Sequence, residues 1–277
     1  MPLFGAALAL LSAGVWGSGD FLGGLAARRA HAFHVLLVAA VAGVTFLSLL
    51  AWVSGESWPD ASGLLYAVGA GTAGALGIAA LYRGLAGGSA AAVAPIASVL
   101  TASVPVLVNS VVVGPPSWLQ CGGFVLALAG IWLVAGASPG QRTDRTSLIL
   151  AVAACLGFGV FLVLIARVNQ HAVFGGLAVA RGVTVAVAVV LTLSVRAPWP
   201  PPASYPIALA AGALDAGGNA LYLLAAHYTR LDIAAVLSSL YPVSTVALAW
   251  LVDRQTISRW QWAGAASCLG AVVLITM

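Results

Sequence analysis

Apolar runs long enough to cross a bilayer follow one another down this chain, separated only by short polar breaks. At about 20 apolar residues per crossing, the pattern predicts ten spans. They run Leu3–Ala26, Ala32–Val53, Ser62–Tyr82, Ser89–Val113, Trp118–Ala137, Leu148–Val168, Phe174–Val195, Tyr205–Ala226, Asp232–Val252 and Trp260–Met277. The breaks carry turn punctuation: Ser54-Gly55-Glu56-Ser57-Trp58-Pro59-Asp60, Gly114-Pro115-Pro116-Ser117, Ser138-Pro139-Gly140 and Arg196-Ala197-Pro198-Trp199-Pro200-Pro201-Pro202. None is long enough to hold a soluble domain. The expected fold class is therefore an all-α, multi-pass integral membrane protein.

Composition agrees with that pattern. Hydrophobic residues make up 62% of the chain and charged residues 6%, with a mean hydropathy of +1.07; a soluble domain carries about 25% charged residues. The net charge of +4 is spread over short links, which leaves no basic patch for nucleic acid. Cys121, Cys155 and Cys268 sit inside apolar runs without metal-ligand spacing, so no metal, cofactor or disulfide framework is expected. The amino terminus lacks the basic region of a cleaved signal peptide. A cell-membrane location, in a bacterial cytoplasmic membrane, follows.

Sliding the chain by 140 residues places Gly17, Gly19, Phe21, Leu22 and Ala26 on Gly157, Gly159, Phe161, Leu162 and Ala166, and Ala80-Leu81-Tyr82 on Ala220-Leu221-Tyr222. The division is 1–140 and 141–277. Five spans per half is an odd number, so the second copy must enter the membrane in the opposite sense. Inverted repeats of this kind build secondary transporters, with a site near the midplane between the halves.

The segment Leu11-Ser12-Ala13-Gly14-Val15-Trp16-Gly17-Ser18-Gly19-Asp20-Phe21 resembles the first-helix signature of the EamA family of drug/metabolite transporters. Leu240-Tyr241-Pro242-Val243, Leu251-Val252-Asp253-Arg254-Gln255 and Gln261-Trp262-Ala263-Gly264 are similar to that family's pattern over its last two helices. The resemblance covers both halves and implies a ten-helix exchanger or exporter of small metabolites. Three departures stand out: Asp253 where the family has Glu, Gly114-Pro115-Pro116 without an acid in the first half, and Leu156 where the second half would repeat Trp16.

Charge places the membrane faces independently. Arg28, Arg29, Arg83, Arg142, Arg145, Arg196, Arg254 and Arg259 fall on one face, and Arg167, Arg181 and Arg230 toward the other. The positive-inside rule then puts both termini outside, whereas the family resemblance implies termini in the cytoplasm. Trp52, Trp58, Trp118, Trp199, Trp260 and Trp262 lie near span ends, as interfacial anchors do.

Asp215 is the residue that points to function. A lone carboxylate at membrane depth costs roughly 2.5–3.5 kcal/mol on insertion scales and usually faces a cavity or partner. Gly212, Asp215, Asn219 and Tyr222 follow at steps of three, four and three, which puts them on one helical face. That stripe either lines a transport cavity or glues helices together. Ser12, Trp16 and Asp20 form a second row, with Trp16 as core packing or cavity wall and Asp20 as a second acid or an interfacial partner of Arg28. Tyr82 and Tyr222 coincide at the 140-residue offset and are expected to shape the cavity, whereas Asp215 meets Ala75 and Asp20 meets Val160. Asp215 is the candidate proton carrier unless a cation such as Arg181 engages it; Arg181 itself either snorkels to the interface or binds a carboxylate. Pro95, Pro105 and Pro242 are expected to kink the fourth and ninth helices.

The expected function is a secondary transporter, monomeric or homodimeric in the lipid bilayer. It moves a small-molecule substrate, polar or amphipathic and of amino-acid type, by alternating access, in the direction of export and with proton coupling. No nucleotide-binding motif is present to drive transport through ATP. An intramembrane enzyme is the second class, but His31, His34, His171 and His227 pair with no nucleophile in a catalytic spacing. A scaffold is the third, favoured if no central cavity lies between the first, third, sixth and eighth helices.

Overall fold

The structure is a computed structural model that describes residues 2–86, 90–135, 145–195, 198–252, 254 and 258–276; side chains at 2, 81–86, 90–100, 135, 145, 147, 148, 151 and 203 are outside the description. Asp253 and Gln255, and the side chains of Tyr82, Arg83 and Pro95, therefore lie outside the described residues. Among the described residues the fold is entirely helical: α1 Pro2–Ala27, α2 Ala32–Ser54, α3 Ala61–Ala86, α4 Ala90–Val112, α5 Trp118–Ala135, α6 Arg145–Ile165, α7 Val173–Ser194, α8 Tyr205–Tyr228, α9 Leu231–Ser238, α10 Tyr241–Leu251 and α11 Arg259–Thr276. A single 3-10 turn, Pro202–Ser204, leads into α8. Among the described residues six stretches are long and apolar enough to cross a membrane, with Leu231–Leu251, which takes in α9 and α10, counted as one of them.

The hydrophobic runs and the helices share their limits to within a few residues, because in hydrocarbon every backbone donor must find its acceptor inside its own helix. The ninth run is the exception. Instead of a kink it breaks into α9 and α10 around Ser239 and Leu240, and Pro242 sits at the start of α10. Proline has no N–H and clashes with the preceding turn, so a helix that cannot continue through Pro242 restarts at it. Continuous hydropathy concealed the break. The fourth run, with Pro95 and Pro105, forms one helix, so neither proline interrupts it.

Packing follows a two-fold rule. Exchanging the halves turns the α1–α8 contact into α6–α3, α2–α8 into α7–α3, and α4–α6 into the contacts of α1 with α9 and α10; all of these pairs pack extensively. The pairs α2–α7, α4–α9 and α5–α11 map onto themselves across the axis.

These contacts also correct the register. Gly71 of α3 meets the backbone of Ala180 on α7, and Gly212 of α8 meets the backbone of Ala39 on α2. Gly71 and Gly212 are 141 apart, as are Ala39 and Ala180. A Cβ on Gly71 would lie 2.5 Å from the Ala180 carbonyl oxygen, so only glycine permits this approach. Gly123 against Ile275 and Gly264 against Val134 repeat the 141-residue spacing at α5 and α11. On the first helix the offset is 142: Trp16 covers Gly218 as Phe158 covers Gly77. The first-helix aromatic is thus repeated by Phe158, not lost at Leu156, and the equivalent of Asp215 is Gly74, not Ala75.

Candidate functional site

Arg181 on α7 and Asp215 on α8 form an ion pair through Nη2 and Oδ2. The arginine's bland alternative, snorkelling to the interface, is not what its side chain does. Gly43 on α2 lies beside it, at ordinary van der Waals distance from the Arg181 Cδ. The pair is not sealed: 14% of the Arg181 side chain and 39% of the Asp215 side chain remain accessible. Two charges that neutralise each other cost far less in apolar surroundings than either alone, and the accessible carboxylate leaves a route to an exchange partner. By the corrected register the mirror positions are Ala40 and Gly74, so the second copy of this place is uncharged.

The rest of the polar stripe anchors this acid. The Asp215 backbone carbonyl accepts from Asn219 Nδ2 at 2.7 Å and from Trp16 Nε1 at 3.2 Å. Asn219 is buried, and its Nδ2 donates within its own helix. Tyr222 is fully buried and donates its hydroxyl to the Leu162 carbonyl of α6 at 3.0 Å, which ties α8 to the other side of the bundle. Its ring stacks on Trp16 at 5.9 Å, and Trp16 meets Tyr241 of α10 edge-on at 6.3 Å. Ser12 completes the seam by donating to the Gly218 carbonyl at 2.8 Å. The aromatic row therefore packs against itself in this conformation, and Tyr222 ties the helix that carries Asp215 to α6.

Asp20 stands apart. It is exposed on α1, and no hydrogen bond or ion pair reaches its carboxylate from the described residues, Arg28 included. The hydroxyls beside the broken helix are not simply back-bonded: Ser238 donates to the Ala9 carbonyl at 3.2 Å, and Thr245 reaches both Gly17 and Tyr241 carbonyls. These bonds fasten α9 and α10 to α1.

Arg181 and Asp215 border neither of two shallow cavities. One of about 310 Å³ is lined by Gln170, His171, Leu224, His227 and Tyr228 at one end of the bundle. The other, about 670 Å³ and almost wholly apolar, runs between α1, α2, α7 and α8. Neither is the central chamber between the first, third, sixth and eighth helices that the sequence called for. At the same end, Glu56 accepts from the backbone N–H groups of Phe174 and Gly175 at 2.8 and 3.4 Å, capping α7 from the α2–α3 link. Arg230 holds Asp232 and the Gly114 carbonyl; its hydrogen bond to Asp232 raises the guanidinium above its ordinary pKa. Sequence spacing missed the Glu56 cap and the Arg230–Gly114 bond, because neither Glu56 nor Gly114 is near its partner in the chain. No group of three or more potential metal-ligating side chains occurs among the described residues.

Residues 3–136 and 145–277 each match the sequence model of the EamA-like transporter family. No curated protein matches the chain. A crystal structure, described only as that of a protein, superimposes with a TM-score of 0.77 over 97% of this chain and 95% of its own, at 17% identity, a likeness of fold alone.

Proposed function

Because this chain belongs to the EamA-like transporter family, we propose that it moves a small zwitterionic metabolite of amino-acid type across a bacterial cytoplasmic membrane by alternating access between its halves. Ten crossings, with α9 and α10 sharing one, complete that architecture. The observation that carries the reading is the Arg181–Asp215 pair, half-open to its surroundings. A guanidinium is suited to a substrate carboxylate, and the carboxylate beside it to the substrate ammonium. A zwitterion entering between them would replace one neutral pairing by two, at little electrostatic cost. A proton on Asp215 would release Arg181 for an incoming carboxylate, which is the route for proton-coupled export.

A second reading is facilitated exchange without ion coupling, favoured by the same contact: a carboxylate already engaged by a guanidinium is not free to carry a proton. Purified protein in proteoliposomes, screened by thermal shift against amino acids, nucleosides, sugars and amphipathic cations and then assayed for counterflow, separates these readings. Asp215→Asn should abolish proton-coupled movement while substrate exchange stays measurable. Proton flux unchanged in that variant removes Asp215 from coupling, and counterflow with no zwitterion sinks the substrate class.

A further inference from the structure

One face of α1 is sealed along its first half and open along its second. Ala9, Ala13, Trp16, Asp20 and Gly24 follow at steps of four, three, four and four, so they form a single row on that helix. Ala9 is inaccessible and its carbonyl accepts from Ser238 of α9, Ala13 is buried, and Trp16 stacks on Tyr222. One turn further the cover ends. Asp20 and Gly24 are exposed, and a Cβ built on Gly24 would meet nothing within 4 Å. Asp20 also follows Gly19 directly, and a Cβ on Gly19 would stand 3.2 Å from the Asp215 amide nitrogen. The Asp20 carboxylate therefore lies within about one turn of the Arg181–Asp215 pair in depth, where the row has opened.

Charge decides what such a carboxylate needs. With histidine neutral, α1, α7 and α8 carry one formal charge each: Asp20, Arg181 and Asp215. Arg181 and Asp215 neutralise each other, and a zwitterion placed between them leaves that balance unchanged. Asp20 would then stay uncompensated when the halves close over the site, and a bare carboxylate is costly in apolar surroundings. A second positive charge on the substrate removes that cost. We propose that Asp20 is the specificity-determining residue for a basic amino acid: Arg181 takes the substrate carboxylate, Asp215 the α-ammonium, and Asp20 the cation at the end of the side chain. Helices α1 and α8 pack directly, and neighbouring helix axes stand about 8–10 Å apart, so the methylene chain of a lysine-type substrate reaches from one acid to the other. This assignment rests on the proposed binding of a zwitterion at Arg181 and Asp215.

Counterflow in proteoliposomes is measured with lysine and with norleucine, which has the same side chain without the terminal ammonium. The KM for lysine should be about tenfold lower, the factor one charge-assisted hydrogen bond carries. Asp20→Asn should raise the lysine KM to the norleucine value, and Asp20→Glu, which keeps the charge, should retain part of the preference. Equal KM values for the two substrates in the wild-type protein, where no variant has to fold, overturn the subsite. So does a lysine preference that survives Asp20→Asn. Norleucine carried together with a proton, in a coupling that Asp20→Asn abolishes, gives the carboxylate to the proton and overturns the subsite as well. Each of these outcomes leaves the zwitterion reading standing. Counterflow with neither substrate nor any other zwitterion is the failure of that reading, and the subsite falls with it.

Discussion

Removing one member of the Arg181–Asp215 pair should harm the protein more than removing both. In Asp215→Leu the guanidinium, 86% of whose side chain is inaccessible since 14% is exposed, loses its counter-charge amid apolar helices. Stripping one partner from a fully buried pair costs about 3–5 kcal/mol, and an exposed pair is worth about 0–1 kcal/mol. With the Asp215 side chain 39% accessible, the cost should fall between, about 2 kcal/mol. Arg181→Leu should cost less, because the carboxylate it strands is the more accessible partner. The Arg181→Leu/Asp215→Leu double variant should recover most of the loss, since well-packed apolar side chains replace such pairs at little or no cost. Unfolding in mixed micelles, followed by tryptophan fluorescence, yields the four stabilities, and counterflow in proteoliposomes yields the four activities. The coupling energy should be about 1–2 kcal/mol and favourable, with transport absent from all three variants. Additive stabilities would refute the ion pair as a structural element, and transport in the double variant would refute it as the binding element.

The two-fold register makes a paired prediction: Gly71→Ala and Gly212→Ala should each destabilise by about 1–3 kcal/mol, read in the same unfolding assay, whereas Gly122→Ala, where a Cβ would meet nothing within 4 Å, should be neutral. Tyr222→Phe should cost about 0.5–1.5 kcal/mol by leaving the Leu162 carbonyl without its hydroxyl donor, yet keep counterflow; lost transport at wild-type stability would return Tyr222 to the substrate. Glu56→Gln takes a negative charge from the N-terminus of α7 and should cost about 0.3–1 kcal/mol, with faster amide exchange at Phe174 and Gly175. Unchanged exchange there would show that the cap contributes nothing.

Hydropathy made the helices legible because length and backbone satisfaction in lipid act on every residue alike. The break before Tyr241 escaped it: Pro242 is visible in the sequence, but whether a proline bends, breaks or leaves a helix intact depends on what packs beside it, and here the Ser238 and Thr245 hydroxyls fasten either side of the break to the Ala9 and Gly17 carbonyls of α1. The repeat was visible while its register was not, since Ala and Gly align almost as well one residue away; backbone contacts such as Gly71 with Ala180 fixed it. Asp215 and Arg181 were both named from the sequence, with pairing left as an alternative. Asn219 and Tyr222 were placed on the correct face, but their acceptors are main-chain carbonyls, which no side-chain pattern records. Nothing in a lone Phe158 announced that it would stand where Trp16 stands.

The uncharged mirror of the ion pair has an energetic consequence. In an inverted repeat, the state open to one side is reached from the other by letting the two halves trade conformations. Were the halves identical, both states would have equal energy and the empty protein would divide its time evenly. With Arg181 and Asp215 in one half and Ala40 and Gly74 in the other, the trade exchanges unlike partners. On the proposed alternating-access cycle, the resting population would be biased toward one face of the membrane before any substrate arrives.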